Sequence, residues 1–444
     1  MPRIFSVARP LAAFAISLLC LGAAPASPLP GPVAADVHES YRLLTSSFYD
    51  PVDPQALLTA ASDALVAAAR KHDTTIEAPA LRAGAQNDET MAELDAAIAS
   101  AADSAHAPAT EFAYAAIAGM AKAVGDRYTQ FFTPEEFRAF NDALDPEKIS
   151  GIGVMIATDE PTGNVHVTYV VPGTPAERVG LHVGDLLIAI DGTVIKGMTV
   201  DNASRLLRGR SGTLVAVNVQ RQGEPQALAF SIKREEVQPP TVVFRMLPGN
   251  VGYVWVMAFG KGTPSEFDTA ISRLKDQGAR ALIFDLRNDG GGYVDSALTI
   301  SSRFIANKAL VTVEERGEHA TTIEADNQTS IALPVSVLVN QYTASASEIT
   351  AGALQDDGIG ELIGTKTYGK GVMQTLTPLP DGAAIKITTA HYLTPRHRDI
   401  NLRGIDPDVR IDENKDARFG EVERDAQLRT ALQLLQRKIA TAKP

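Results

Sequence analysis

Two stretches leave little choice of architecture. Ala281-Leu282-Ile283-Phe284-Asp285-Leu286 is nearly unbroken in its apolar character, and so is Val335-Ser336-Val337-Leu338-Val339, which lies between Pro334 and Asn340. A strand wetted on one side alternates, whereas a continuous apolar run belongs to a sheet covered on both faces. Such a sheet needs helices, and Thr263-Pro264-Ser265-Glu266 has the pattern of a capping box with proline in the first turn, leading a helix to about Gln277 and Gly278. Val251 to Val256 and Ala384 to Tyr392 read as further strands, and Val422 to Ala442 as an amphipathic helix. The chain beyond Pro239-Pro240 is therefore expected to be an α/β core around a buried sheet.

The start of the chain reads as a targeting segment. Arg3 and Arg9 precede a short apolar run from Leu11 to Ala23, and Ala24-Pro25-Ala26 fits a small-x-small cleavage site. That pattern predicts a signal peptide over residues 1–26 and a periplasmic or secreted mature chain without a stable membrane span, with an uncleaved N-terminal anchor as the alternative that the shortness of the apolar run disfavours. The one cysteine, Cys20, falls inside this segment, with Leu19 too large for a lipidation signal. Disulfides and a cysteine nucleophile are thereby excluded from the mature protein. The net charge of −12 argues against nucleic acid as a partner. From 27 to 110 the chain predicts a helical region: Val37 to Asp50 and Pro54 to Arg70 carry apolar points at helical spacing, then a loose Ala-, Asp- and Thr-rich insertion follows over 71–109. Glu111 to Val124 and the stretch opened by Pro134 predict two more helices, within 111–149.

The chemistry concentrates between Val335 and Gln374. The apolar strand runs into Gln341-Tyr342-Thr343-Ala344-Ser345-Ala346-Ser347-Glu348, which leads a helix-like Thr350 to Leu354. A serine at such a junction stands at a helix N-terminus, where free amides and the dipole favour a developing oxyanion. Thr367-Tyr368-Gly369-Lys370-Gly371-Val372-Met373-Gln374 places a lysine between two glycines. The eight histidines sit in no hydrolase motif, so the base for a serine nucleophile falls to lysine. Its pKa, ordinarily near 10.4, must fall by about three units, a differential cost of roughly 4 kcal/mol that burial can impose. Lys370 lies among Tyr368, Val372 and Met373, whereas Lys366 lacks that setting. Ser345 is read as the nucleophile, Lys370 as the base and Gln374 as a hydrogen-bonding partner for it.

A nucleotide-binding reading competes. Gly364-Thr365-Lys366-Thr367-Tyr368-Gly369-Lys370 matches the first seven positions of a P-loop, but the eighth is Gly371 and Val372 to Leu376 reads as strand where a P-loop needs helix.

From Ile149 to about Arg234 short strands are broken by glycines. Gly151-Ile152-Gly153-Val154, Pro172-Gly173-Thr174-Pro175-Ala176-Glu177, Gly184-Asp185-Leu186-Leu187 and the helix-like Thr199 to Arg208 follow in an order that resembles a PDZ domain, here 150–234. Such a domain adds a peptide to a sheet edge and captures its terminal carboxylate on backbone amides. Gly151 and Gly153 would allow a close approach.

Taken in order, Gly125-Asp126-Arg127-Tyr128-Thr129, the PDZ-like segment, Asp285 to Gly292, Asn340 to Leu354, Thr367 to Gln374 and Gly404-Ile405-Asp406-Pro407 resemble the carboxyl-terminal processing peptidases, or tail-specific proteases. The resemblance implies a multidomain α+β protein with a peptidase core over 235–411 and a C-terminal helix in 412–444. It implies Ser345 as nucleophile, Lys370 as general base and Gln374 as its orienting partner. Ala346 and Gly292 would supply the oxyanion hole, and Gly151, Ile152, Gly153 and Val154 the peptide site. Ser347 is the rival nucleophile. Thr343 stands where many members have serine, and Gly290 where many have proline, which loosens the glycine turn. Unfolded or exposed protein C-termini are the implied substrates, an adaptor protein is an open partner, and no metal or cofactor is called for. The alternative is a non-catalytic peptide-binding protein of the same fold.

Overall fold

The computed structural model describes residues 29–441 apart from 85–86, 145, 147, 160–161, 327–330 and 414–419. The predicted signal peptide lies outside the described residues. Among those residues no helix is long and apolar enough to cross a membrane.

The two apolar runs become neighbouring parallel strands at the centre of a six-stranded sheet. Its order is Val242–Leu247, Val251–Val256, Ala281–Asp285, Val335–Val339, Gly360–Gly364 and Val409–Arg410. Only the first pair is antiparallel. Side chains alternate between two apolar layers, as the period of a strand requires. Val254, Phe284, Val337 and Leu362 pack against helices Thr263–Asp276, Val294–Ser302 and Ala346–Asp356. Tyr253, Ile283, Leu338 and Ile363 pack against Leu428, Leu432 and Leu435 of the C-terminal helix Ala426–Thr441.

Beneath that helix lies a fully buried ionic cluster. Arg287 sits between Asp285 and Asp425, with guanidinium-to-carboxylate distances down to 2.6 and 2.7 Å. Gln427 accepts from Arg287 at 2.9 Å, and Tyr253 donates to Asp285 at 2.7 Å. Paired in this way the charges are tolerated; stripped of one partner they would destabilise the fold by several kcal/mol.

A second sheet carries Ala384–Leu393 between Gln130–Phe132 and Ala309–Glu315, with Val372–Pro378 also paired to it. The N-terminal helices Gly31–Ser46, Pro54–Lys71, Asn87–Ala105 and Ala109–Ala123 share one core with Ile385 and Ile387 of this sheet. The loose insertion expected over 71–109 contains a 19-residue helix. Met91, Leu94, Ile98 and Ala102 form its buried stripe. Alanine fills much of that stripe, which is why the apolar period was faint in the sequence. The capping box at Thr263 also does not form. Gly262 is the N-cap, Thr263 Oγ1 accepts from Gly260 N at 2.9 Å, and Glu266 accepts from Thr241 N and Val242 N at 2.8 and 3.1 Å. A strand left without partners at its first amides outcompeted the local cap.

Strands Val154–Asp159, Asn164–Val170, Leu186–Ile190, Leu214–Gln220 and Leu228–Lys233 enclose a separate apolar core with helix Val200–Leu207. Thr199 Oγ1 accepts from Asn202 N at 3.3 Å and caps that helix. The chain enters and leaves this unit through paired strands Ile149–Gly151 and Glu235–Val237, and Glu177 is ion-paired to Arg273 of the core.

Candidate active site

Ser345 ends the turn after strand Val335–Val339 and is the N-cap of helix Ala346–Asp356, with φ 59° and ψ −119°. A non-glycine residue held there stores about 1–3 kcal/mol of strain, and the surroundings must enforce it. Glu348 and Tyr392 do so: Glu348 Oε2 accepts from Ser345 N at 3.0 Å, and Tyr392 Oη donates to Ser345 O at 3.1 Å. The same Glu348 carboxylate, fully buried, also accepts from Gly369 N and Lys370 N, both at 2.8 Å, and from Thr367 Oγ1 at 2.5 Å. One side chain thus ties the serine turn to the lysine loop.

Lys370 and Ser345 line one cavity of about 390 Å³, with Gln374 and Gly292. The Lys370 Nζ lies 5.0 Å over the ring of Tyr128. Burial pulls its ammonium down to about 8; Lys386 adds to the fall, and Asp126 and Glu348 oppose it. Lys366, by contrast, is exposed and paired to Asp406 at 3.1 Å. Gln374 donates from Nε2 to Thr388 Oγ1 at 3.3 Å, and Thr388 Oγ1 donates to Asp126 Oδ2 at 2.6 Å. Its amide nitrogen therefore serves Thr388, and the carbonyl oxygen is the end left for an ammonium.

The glycine turn packs directly on the serine. Gly291 has φ 100°, and a Cβ there would lie 2.9 Å from both Ser345 Cβ and Ala346 N. Gly292 has φ 147°, and a Cβ would sit 2.4 Å from Phe259 O. Neither position admits a side chain, whatever Gly290 tolerates. Among the described residues the amides of Gly292 and Ala346 donate to no other group. Ser347, the rival nucleophile, is fully buried and faces Asp289 instead of the cavity.

Sequence reasoning missed Tyr128, Lys386, Tyr392 and Asp289. The first lies in the Gly125–Thr129 stretch that had been singled out without a role. Asp289 is fully buried, with Oδ1 accepting from Gly291 N at 2.8 Å, and burial pushes its carboxyl up to about 8. The folded protein therefore holds it protonated at pH 7, where the unfolded chain ionises it. Stability is present below the ordinary carboxyl pKa and is lost as pH rises through about 8. Asp289→Asn is expected to stabilise the fold at pH 7 by on the order of 2–4 kcal/mol and by little at pH 4. Thermal unfolding at the two pH values checks this, and an equal effect at both would remove ionisation as the cause.

In the glycine-broken unit, Gly151, Ile152, Gly153 and Val154 line a second cavity of about 250 Å³ with Leu207 and Arg208. The amides of Ile152 and Gly153 donate to no group among the described residues. The need for glycine at 153 is internal: φ is 85°, and a Cβ would lie 2.3 Å from Thr174. Gly151 is paired with Glu235, and nothing crowds it.

Residues 250–411 match peptidase family S41, and residues 166–221 match the PDZ domain. The chain is 34% identical over 335 residues to a carboxyl-terminal-processing protease of Picosynechococcus sp., covering 74% of this chain and 80% of that one. It is 34% identical over 298 residues to the carboxy-terminal processing protease CtpA of Bacillus subtilis, covering 67% of this chain and 63% of that one. Among solved structures it is similar to a photosystem II D1 C-terminal processing protease, at 27% identity and a TM-score of 0.45, covering 86% and 93% of the two chains.

Proposed function

Because this chain belongs to the carboxyl-terminal processing proteases of peptidase family S41, we propose that it is an exported serine endopeptidase that docks protein C-termini on its PDZ domain and cuts through a Ser345–Lys370 dyad. One observation carries the reading: a strained serine, a desolvated lysine and Gly292 line one cavity, and among the described residues the amides of Gly292 and of Ala346, next to the serine, donate to no other group.

Neutral Lys370 takes the Ser345 hydroxyl proton as Oγ attacks the scissile carbonyl. The amides of Ala346 and Gly292 receive the oxyanion, and their helix-end and turn positions are set before the substrate arrives. The Lys370 ammonium then protonates the leaving amine, and water, deprotonated by the same lysine, releases the acyl group. Gln374 orients Lys370 through its carbonyl oxygen. Gly151, Ile152, Gly153 and Val154 hold the terminal carboxylate of the substrate, with the apolar wall of Leu207 beside it.

The mature chain is expected to cleave an unfolded protein with an apolar C-terminal tail about tenfold faster than the same protein with its terminal carboxylate amidated, the value of one charge-assisted hydrogen bond. Equal rates would remove tail capture and leave the chemistry standing. No cleavage of either, with tail binding intact, would move the protein to a purely binding role.

A further inference from the structure

A second lysine shares the catalytic cavity. Lys386 lies on strand Ala384–Leu393, opposite Leu376 on one side and Gln130 on the other. It lines the same cavity as Lys370 and Ser345. Its Nζ is 5.1 Å from the Phe132 ring and 5.2 Å from the Phe140 ring. Among the described residues it is paired to no carboxylate. Burial pulls the Lys386 ammonium down from its ordinary range, and the acid that opposes this from a distance is Asp126, whose Oδ2 already accepts from Thr129 N, Thr129 Oγ1 and Thr388 Oγ1.

A half-buried cation without a counter-ion is costly, and a solvated surface lysine would turn its head to water. Two aromatic faces soften that cost by cation–π attraction. Among the described residues Lys370 has a single ring beside its Nζ, and it is the more deeply buried of the two. Two ammoniums in one low-dielectric cavity repel, and the one with poorer solvation releases its proton first. Among the described residues the titratable and charged groups facing Lys370 are Lys386 from strand Ala384–Leu393, Asp126 from the segment before Gln130, Glu348 from helix Ala346–Asp356, Tyr128, whose ring lies under its Nζ, and Tyr392, whose Oη donates to Lys370 O.

We propose that Lys386 is a positioning residue for the general base, its positive charge held against the Phe132 and Phe140 rings so that Lys370 gives up its proton more readily. This inference rests on the Ser345–Lys370 reading. It has a second consequence within the cycle. When Lys370 has accepted the Ser345 proton, the same repulsion hastens its transfer to the leaving amine.

The test is the pH profile of kcat/KM for the full mature chain on a short neutral fluorogenic peptide, from pH 6 to 10. The parent should rise with a midpoint near 8. Lys386→Gln should move the midpoint upward by about one pH unit, a loss of about tenfold at pH 7 that is recovered at pH 10. Lys386→Arg, which keeps the charge, should keep the parent midpoint. An unmoved midpoint in Lys386→Gln, or a loss equal at every pH, overturns the proposal and leaves Lys386 a packing or substrate contact. Lys370→Ala separates the two levels. If it turns over with the parent profile, the dyad itself fails; if it is inactive while Lys386→Gln keeps its midpoint, only this inference falls.

Discussion

Lys370→Met is expected to abolish peptide-bond cleavage and, in the same molecule, to raise thermal stability. The ammonium is pulled down to about 8 by burial, with Lys386 adding to it. The unfolded chain holds its proton up to about 10.4, so it binds more protons than the folded state between those values. Stability therefore increases as pH rises through this window, and below it the folded state carries the full cost of a buried charge. An apolar side chain of similar length relieves that cost, by about 2–3 kcal/mol at pH 7 and by little at pH 10. Turnover should fall by about 10³-fold or more, as should that of Ser345→Ala, and the double variant should be no worse than either, because residues of one catalytic unit are not additive. Cleavage of a tailed unfolded protein, with unfolding scans at pH 7 and 10, reads all of this. A variant that loses activity and stability together would point to misfolding and take away the argument for Lys370 as base.

The second large effect belongs to Glu348. Its two oxygens accept four hydrogen bonds: from Ser345 N, Lys370 N, Gly369 N and Thr367 Oγ1. Glu348→Gln preserves shape but turns one acceptor end into a donor, which then faces at least one N–H. Each lost bond to the carboxylate is worth about 1.5–3 kcal/mol, so a stability loss near 3 kcal/mol is expected. The catalytic loss should be larger in kcat than in KM, on the order of 10²–10³, because the serine and lysine are both displaced while the substrate's tail still binds at a separate site. Steady-state kinetics decide it. A variant whose KM rises at constant kcat would mean that Glu348 holds substrate and not the dyad.

What could be read beforehand follows a physical line. The unbroken runs at Ala281–Leu286 and Val335–Val339 announce a sheet covered on both faces because burial acts on every residue of them, and the two apolar layers are as that rule requires. Ser345 at a helix N-terminus and Lys370 between glycines are local features, and the cavity contains both. What local pattern could not supply is convergence. Tyr128 and Lys386 meet Lys370 only because strands Gln130–Phe132 and Val372–Pro378 both pair with Ala384–Leu393. The hairpin register sets Gln374 opposite Thr388, where its nitrogen finds a partner that no local pattern announced, while the residue still lines the cavity with Lys370. The positive φ of Ser345 left no trace in composition at all. At Thr263 and Glu266 a local signature was present and lost to tertiary demand, as local propensities do where a buried backbone group needs a partner.

The Arg287 cluster sets an order of events in time. Arg287 is two residues past the strand end and leads into the glycine turn, yet its guanidinium is neutralised in part by Asp425, which is synthesised long after Ser345. Until that late segment arrives, Arg287 lacks its Asp425 and Gln427 partners, and the sheet face under helix Ala426–Thr441 stays wet. A chain still being synthesised thus lacks half the ionic support of Arg287, and one nicked ahead of Asp425 is expected to lose it again. The docking of the last helix is therefore the step that completes the support beneath the strand ends leading to the glycine turn.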